Sequence, residues 1–443
     1  MSLAPKVAVV FRRLGPYHHA RLNAAGARMT VRAVESCALD SVYGWEKVDG
    51  AKLFSRTTLT HREQPGLRWR QILKARLWEE LSDSKPDVVA VPGWSPPEAL
   101  TALEWCMRND KPAVLMSESA RPDAVRRPWK ERLKRRVVRL CSAALVGGHC
   151  HSEYLVELGM PLEQIFLGYD AVDNDYFAKP IGAAHPQPGS AGFSLQRQTN
   201  FPPEPGSLAE HKPNRSPGAL DACCRLKPAP RNFFLASARF VEKKNLPGLI
   251  AAYAQYRGDR SGERGGGGVD TEEPWDLVLL GDGEMRPTLE AQIADLNLPN
   301  HVLMPGFKQY SELPLYYGSA GAFIHASTTE QWGLVVNEAM ASGLPVLVSS
   351  RCGCAPDLVK EGINGFTFDP LNVEQLAELM RRTADMPPAR LRQMGARSRE
   401  LIAHWGAEQF ASGLQQAVQM ALRVPTPHAT LLDRLVLRSL AFR

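Results

Sequence analysis

Short apolar runs that alternate with helical stretches are the feature that most constrains how this chain can fold. In the first part of the sequence the runs occupy residues 7–11, 87–91, 113–116 and 143–146. Stretches with helical character, such as residues 69–82 and 98–107, lie between them. Buried strands separated by helices of this length indicate parallel βαβ units, in which helices cover both faces of one sheet.

The same alternation resumes in the second part, at residues 233–236, 277–280, 301–304, 322–325 and 345–348. Between the two parts, Pro, Gly, Ser, Asn and Gln crowd together without an apolar period, which is typical of a linker or an insertion. At 443 residues, the chain is longer than one hydrophobic core usually holds. We therefore predict an α/β protein with an N-terminal domain at 1–178, a linker or insertion at 179–231, a C-terminal domain at 232–405 and a C-terminal helical segment at 406–443. Ligands should bind in the cleft between the carboxyl ends of the two sheets.

The composition excludes several classes of protein. Apolar residues make up 44% of the chain and charged residues 23%, which is ordinary for a globular protein. No run of eighteen apolar residues occurs and the N-terminus lacks the pattern of a signal peptide, so we expect a cytoplasmic protein. The net charge of +6 is too small to indicate nucleic-acid binding, and no nucleic-acid partner is expected. The eight cysteines lack the paired spacing of a zinc site, so no metal is predicted.

The most informative stretch contains two glutamates separated by seven residues, Glu330 and Glu338. A strand ends just before Glu330, and a helix is expected to begin near Gly333, which places Glu338 about a turn and a half inside that helix. The first amides of the helix, at Gly333, Leu334 and Val335, have no intrahelical partner and form an anion site suited to a phosphate. Two carboxylates beside such a site can bind hydroxyl groups on either side of a pyrophosphate.

Two cations follow a strand further upstream. Arg239 and Lys244 lie between the run at 233–236 and the next helical stretch, so both can face the cleft. Positioned cations stabilise the negative charge of a departing nucleoside diphosphate as a metal ion would. Lys243 competes with Lys244 for this role, and a solvated turn is the alternative for the whole segment.

Two loops follow the next two strands. Gly281 and Gly283 flank an aspartate after the first of these strands, and Phe307 follows Gly306 after the second. A lone Gly-X-Gly is often just a tight turn, so the pair of glycines is weak by itself. These loops become informative in combination, because the four segments around Arg239, Gly281, Phe307 and Glu330 occur together in this order.

These four segments together resemble the signature of the family 4 glycosyltransferases, and in particular bacterial members of polysaccharide biosynthesis. The resemblance is close over residues 230–385 and holds in outline in the N-terminal half. It implies the GT-B fold, with two Rossmann-like domains that face each other across a cleft and C-terminal helices that pack back toward the N-terminal domain. It also implies a retaining enzyme that needs no metal and no cofactor besides its nucleotide-sugar donor.

The resemblance also implies a role for each matching residue. Glu330 would meet the donor sugar and Glu338 the ribose hydroxyls, while Arg239 and Lys244 would hold the donor pyrophosphate. The base would lie near the backbone around Phe307. Retention in this family fits a front-face displacement, in which the leaving phosphate itself takes the proton of the acceptor.

Three residues of the N-terminal half are candidates for substrate contact. The family places a glycine loop near the donor phosphates after the first strand, and here that position holds Gly15 followed by Pro16. His18 is a candidate for acceptor binding, with a surface or helix-capping histidine as the alternative. Glu118 closes a strand that faces the cleft and is a candidate to orient the acceptor or act as a base, with helix capping by Ser119 as the rival explanation.

A basic segment lies at residues 121–140. Between Arg121 and Arg139 there are nine Lys or Arg residues and two acidic ones, and apolar residues recur at helical spacing. Family members often use glycan or lipid-linked acceptors at the inner face of the membrane, which suggests a peripheral membrane protein. Each basic residue near an anionic surface contributes about 1 kcal/mol. The alternative is a solvated helix whose apolar face packs on its own domain.

Three other functions remain open from the sequence. A nucleotide-sugar epimerase can share the two-domain architecture, although the Glu330 and Glu338 pair favours transfer. A non-catalytic scaffold that binds nucleotide sugars is the second, and the presence of Glu330, Arg239 and Lys244 counts against it. Nucleic-acid binding through the basic segment is the third, and no recognised nucleic-acid module supports it.

Overall fold

The structure is a computed structural model and describes residues 4–39, 45, 48, 50, 53–62, 66–179, 233–262 and 273–441. Apart from Lys179, the predicted linker or insertion at 179–231 lies outside the described residues. The described part forms two α/β domains, each built on one parallel sheet.

The N-terminal domain has a seven-stranded sheet in the order β3-β2-β1-β4-β5-β6-β7, with every neighbouring pair parallel. Its strands are β1 (Lys6–Phe11), β2 (Thr30–Leu39), β3 (Ser55–Arg62), β4 (Val88–Pro92), β5 (Ala113–Ser117), β6 (Ala143–Val146) and β7 (Ile165–Leu167). Its helices are α1 (Pro16–Gly26), α2 (Leu67–Ser84), α3 (Pro97–Arg108), α4 (Pro128–Val138), α5 (His149–Glu157) and α6 (Asn174–Ala178). The strand order reverses at β1, so the carboxyl ends of β1 and β4 form the crevice where such sheets bind ligands.

The C-terminal domain repeats this plan with six parallel strands in the order β10-β9-β8-β11-β12-β13. Its strands are β8 (Phe233–Ser237), β9 (Asp276–Leu280), β10 (Val302–Gly306), β11 (Ala322–His325), β12 (Val346–Ser349) and β13 (Gly365–Phe368). Its helices are α7 (Leu246–Gly262), α8 (Arg286–Asp295), α9 (Leu313–Ser319), α10 (Leu334–Ala341), α11 (Ala355–Leu358), α12 (Val373–Ala384) and α13 (Pro388–Ile402). Here the order reverses at β8, and β8 and β11 lead into the loops with Arg239 and Glu330.

The last two helices cross back to the N-terminal domain. Helix α14 (Ala407–Arg423) packs on α1, where Phe410 and Leu414 are fully buried beside Leu22. Helix α15 (Leu431–Ala441) packs on α3 and α4. Each fully buried side chain of this size contributes roughly 1.5–3 kcal/mol, so the C-terminal segment is an integral part of the first domain's core. The prediction that these helices pack back toward the N-terminal domain is confirmed.

The two domains also touch directly around the cleft. Trp332 of the C-terminal domain is 1% exposed and lies against the backbone of Gly148, where no side chain would fit. His151 Nε2 lies 2.9 Å from the carbonyl oxygen of Gln331, and Asn337 Nδ2 donates to the carbonyl of Asp170 at 3.3 Å. These contacts fix the carboxyl ends of the two sheets opposite each other.

Candidate functional site

A cavity between the two domains collects most of the predicted site residues. It lies at the carboxyl ends of the strands of both sheets, and we refer to it as the donor cavity. The predicted residues that line it are Glu118, Arg239, Lys244, Gly281, Gly283, Phe307, Glu330, Gly333, Leu334 and Val335. The structure thus brings together segments that are up to about two hundred residues apart in the sequence.

Glu330 lies at the centre of a charged cluster in this cavity. Lys244 Nζ donates to its Oε2, Lys243 Nζ lies 3.9 Å from its Oε1, and His325 Nε2 lies 3.5 Å from its Oε2. Burial favours the protonated form, but the neighbouring His325 and the Lys244 charge outweigh it and hold the pKa of Glu330 well below its usual range. Glu330 is therefore ionised and accepts hydrogen bonds at any physiological pH.

The chain geometry after β8 explains why two lysines reach Glu330. A short 3-10 turn covers Glu242–Lys244 and ends at Asn245, whose φ of 52° is left-handed. Asparagine tolerates this conformation better than most residues. Lys243 and Lys244 both approach Glu330 from this turn. Of these two candidates from the sequence, Lys244 is the closer to Glu330.

Gly281 and Gly283 bring the loop after β9 close to the loop after β8. Their φ angles are 129° and 155°. A Cβ atom at Gly281 would lie 1.8 Å from the carbonyl oxygen of Ala238, so only glycine fits there. This close approach shapes the floor of the donor cavity next to Arg239, whose side chain is exposed and free to turn into it.

The start of α10 supplies an anion site in the same cavity. Gly333 precedes the helix with a left-handed φ of 106°, and the helix runs over Leu334–Ala341. The expected start near Gly333 is confirmed. The first backbone amides of an α-helix lack intrahelical acceptors and carry the positive end of the helix dipole. Together with Arg239 and Lys244, this helix start gives the cavity three separate features that carry positive charge.

Glu338 does not line the donor cavity. It is 1% exposed, and the hydroxyls of Tyr17 and Tyr317 both donate to its carboxylate, the latter at 2.5 Å. Burial raises the pKa of Glu338 to about 7, against the lowering effect of the two tyrosine hydrogen bonds. Because Tyr17 itself lines the cavity, the route from the cavity to Glu338 passes the Tyr17 side chain. A contact between Glu338 and ribose hydroxyls stays a prediction.

Gly15 and His18 lie in a second cavity, at the carboxyl end of β1 in the N-terminal domain, which we call the N-terminal cavity. Gly15 N–H donates to His18 Nδ1 at 3.1 Å, so His18 caps the start of α1. Burial and the nearby Arg21 charge lower the pKa of His18 to about 3, so the ring is neutral. Leu334, another predicted donor-binding residue, lines this cavity as well as the donor cavity, and a contact between Gly15 and the donor stays a prediction. Glu118 lines both cavities and lies where they meet.

Several residues of the site had no signal in the sequence. Tyr17 and Trp45 of the N-terminal domain line the donor cavity, and the Trp45 and Phe307 rings lie 5.3 Å apart. Asp170 also lines it, although the segment from Gly168 to Phe177 has the pattern of a purely structural turn. These residues reach the cavity through tertiary packing, which a local pattern does not encode.

Comparison with known proteins gives a match to one family. Residues 225–401 match the family model described as "Glycosyl transferases group 1". The chain is 30% identical over 133 residues to the alpha-monoglucosyldiacylglycerol synthase of Acholeplasma laidlawii, which covers 30% of each protein. It is 28% identical over 192 residues to the amylovoran biosynthesis glycosyltransferase AmsK of Erwinia amylovora, 41% of this chain and 44% of AmsK. The chain thus matches less than half the length of these relatives.

Solved structures match over nearly the whole chain. A glycosyltransferase from Rickettsia africae superimposes with a TM-score of 0.65 at 14% identity, over 95% of this chain and 99% of the other. HepE of Anabaena, solved with UDP and glucose, superimposes with a TM-score of 0.61 at 16% identity, over 93% and 98%. At these identities the likeness concerns the fold, and the fold is GT-B, as predicted.

Proposed function

We propose that the protein is a glycosyltransferase that moves a sugar from a nucleoside diphosphate sugar to a hydroxyl acceptor. One observation carries the proposal: Glu330, Lys244, Arg239 and the start of α10 converge on one cavity between two domains. The group 1 match over the second domain supports it, and so does the complex of HepE with UDP and glucose.

The charges of the donor cavity suit loss of a diphosphate. As the bond between the anomeric carbon and the phosphate oxygen breaks, negative charge grows on the diphosphate, where Arg239, Lys244 and the α10 amides stabilise it. Ionised Glu330 accepts hydrogen bonds from hydroxyls of the departing sugar. We infer that neither a metal nor an organic cofactor takes part, since the protein's own cations supply this stabilisation.

We further propose that the anomeric configuration is retained. In a front-face displacement the acceptor oxygen bonds to the anomeric carbon on the side that the diphosphate leaves, and the acceptor proton passes to the leaving phosphate oxygen. This scheme requires no carboxylate nucleophile. Ionised Glu330 is already engaged by Lys244, which fits a role in holding the sugar better than one in attacking it.

The acceptor is proposed to be a glycan or a lipid-linked sugar in polysaccharide or lipopolysaccharide biosynthesis. Two relatives support an acceptor of this kind, since one is a monoglucosyldiacylglycerol synthase and the other a glycosyltransferase of amylovoran biosynthesis. The N-terminal cavity, next to Glu118, is the proposed place for this acceptor.

A peripheral contact with an anionic membrane, at the inner face, is proposed through the basic segment at 121–140. Within it, Lys130, Arg132 and Arg135 of α4 are exposed. Lys134 pairs with Glu131, and Arg136 and Arg139 pair with Asp433 of α15. On the neighbouring α15, three leucine side chains are at least half exposed: Leu431 at 77%, Leu432 at 50% and Leu435 at 55%. Cations beside exposed leucines fit a lipid surface. Among the described residues, no helix is long and apolar enough to cross a membrane.

Sedimentation with lipid vesicles tests this contact. Replacing Arg132 and Arg135 by glutamine should weaken binding to vesicles that contain phosphatidylglycerol by about 2 kcal/mol, or roughly thirtyfold. The matched control replaces Arg392 and Arg397, which are exposed on α13. Equal loss in both double variants, or equal binding to pure phosphatidylcholine, contradicts a specific surface at 121–140.

The activity is tested with a panel of nucleoside diphosphate sugars, by release of the nucleoside diphosphate. One donor should be turned over by the wild type, and Glu330→Ala, Arg239→Ala and Lys244→Ala should each lower kcat by about 10²–10³-fold. Arg351→Ala, a partly exposed residue outside the cavity, serves as the control. A sugar nucleotide that returns epimerised favours an epimerase, and tight binding without turnover favours a scaffold.

A further inference from the structure

Asp170 is a buried carboxyl group that has no local structural task. It is fully buried, and neither side-chain oxygen accepts a hydrogen bond from any donor among the described residues. The nearest cation, Arg21 Nη2, is 3.9 Å from Oδ1 and likewise has no hydrogen-bond partner in the described part. Because a buried polar group without a partner costs about 1–3 kcal/mol, such a group calls for a functional explanation.

The fold makes space for this carboxyl. A Cβ atom at Gly147, which follows β6, would lie 2.5 Å from Asp170 Oδ2. The Asp170 backbone is held in turn, since Asn337 donates to its carbonyl and Arg21 Nε donates to the next carbonyl, that of Ala171, at 2.7 Å. The backbone at Asp170 is thus held in place, and its side chain lines the donor cavity.

A second carboxyl, that of Glu118, lines the same cavity as Asp170. Two ionised carboxylates have only acceptors, so a hydrogen bond between them requires one shared proton. Burial, the Glu118 charge and the Glu330 charge raise the pKa of Asp170 well above its usual value, against the lowering effect of Arg21. His151, which also lies next to Gly147, is a further titratable group of this region.

We propose that Glu118 and Asp170 hold one proton between them and bind a hydroxyl group of the sugar substrates, with Asp170 as donor and Glu118 as acceptor. Both carboxyls line the donor cavity, and Glu118 also lines the N-terminal cavity. The bound hydroxyl lies where the two cavities meet. It belongs either to the donor sugar or to the acceptor, and the assignment of a sugar substrate rests on the proposed function.

A neutral hydroxyl fits this pair because it both donates and accepts. The hydroxyl lies between the two carboxyls: its oxygen accepts the hydrogen bond of protonated Asp170 in place of Glu118, and its own O–H donates to Glu118. An analogue that lacks the hydroxyl is discriminated against, since it offers no hydrogen-bond partner to the buried Asp170 carboxyl. The pair is therefore a specificity determinant.

The first test needs no substrate. If the folded protein keeps the proton of Asp170 while the unfolded chain releases it, the folded state loses relative stability as the pH rises above about 4. Asp170→Asn removes this loss. The melting temperature of Asp170→Asn minus that of the wild type should therefore grow as the pH is raised from about 5 to about 8 in steps of roughly one unit. Asp173→Asn is the control, because Asp173 caps α6 through Tyr176 N–H at 3.0 Å. A difference between Asp170→Asn and wild type that does not change with pH overturns the shared proton.

Glu118→Gln is the second variant in the same melting series. Its loss of charge favours ionisation of Asp170, so the pH-dependent loss of stability should shrink relative to the wild type. Because both measurements use only melting temperatures, they fail or succeed independently of the proposed transferase activity.

The second test uses the donor that the panel identifies. Asp170→Ala should raise KM by about tenfold or more, since it removes one hydrogen bond from a buried site. Asp170→Asn keeps a hydrogen-bond donor at this position, so it should bind substrate nearly as well as the wild type. The affinity of the wild type should decline at high pH, and that of Asp170→Asn should not. If donor hydrolysis without acceptor is impaired too, the hydroxyl is on the donor sugar, and if only transfer is impaired, it is on the acceptor. Unchanged KM values for both substrates in Asp170→Ala overturn the proposal.

Discussion

At the scale of single residues, the chemistry depends on where carboxyl groups are buried. Glu330 and Lys244 each follow a strand, as predicted, and they form an ion pair in the structure. Of the two tyrosines that donate to Glu338, however, Tyr17 is 321 residues away in the sequence. Spacing along the chain reveals neighbours on one helix or loop, but it carries no information about which side chain another domain places against them. The same reason hides Asp170 from the sequence.

The pH dependence of donor binding follows from Glu338. Burial raises the pKa of this carboxyl to about 7, so it takes up a proton as the pH falls through 7. We infer that ribose hydroxyls bind the carboxylate form of Glu338, so affinity for the nucleoside diphosphate should fall below pH 7 in the wild type. Calorimetric titration across this range should show no such fall in Glu338→Gln. In Tyr17→Phe the fall should begin at a higher pH, because a hydrogen bond that lowers the pKa of Glu338 is lost. Identical pH curves in the three proteins would contradict this assignment.

At the scale of elements, the glycines after β9 set the shape of the donor cavity. Gly281→Ala should destabilise the protein by about 1–3 kcal/mol or more, since its Cβ atom would overlap the carbonyl of Ala238 and its φ of 129° is left-handed. Urea unfolding measures this free energy. Gly258→Ala is the matched control, because the site is open within α7 and alanine favours a helix by about 1 kcal/mol. Equal effects of the two substitutions would show that the close approach does not matter.

Elements also show what the sequence predicts well. The buried strands at β1, β4, β5, β6 and β8–β12 follow from continuous apolar runs. Strand β2 was missed because it carries Glu35 and Ser36 in its interior, and both are buried. Glu35 is compensated by Arg56 of β3 at 2.7 Å, a cross-strand ion pair that no pattern within β2 reveals. A strand whose buried polar residues pair with a neighbouring strand lacks the continuous apolar run that would identify it in the sequence.

At the scale of the whole molecule, the C-terminal helices pack against the N-terminal domain. Leu414 of α14 is fully buried in the core of the N-terminal domain, so Leu414→Ala should lower the free energy of unfolding by about 2–5 kcal/mol. Leu422→Ala on the same helix, at a side chain that is 48% exposed, should have a much smaller effect. Chemical denaturation of both variants compares them directly. Similar losses would mean that α14 contributes little to that core.

The central claim is that one cavity between the domains holds a nucleoside diphosphate through Arg239, Lys244 and the start of α10. Calorimetric titration of the wild type with nucleoside diphosphates tests it most directly, beside Arg239→Ala, Lys244→Ala and the control Arg351→Ala. The account predicts that one diphosphate binds the wild type and the control equally. Each cavity variant should lose about 1.5–3 kcal/mol of affinity, as expected for a hydrogen bond to a charged group. Binding that is unchanged in both cavity variants, or absent from the wild type, would contradict the account.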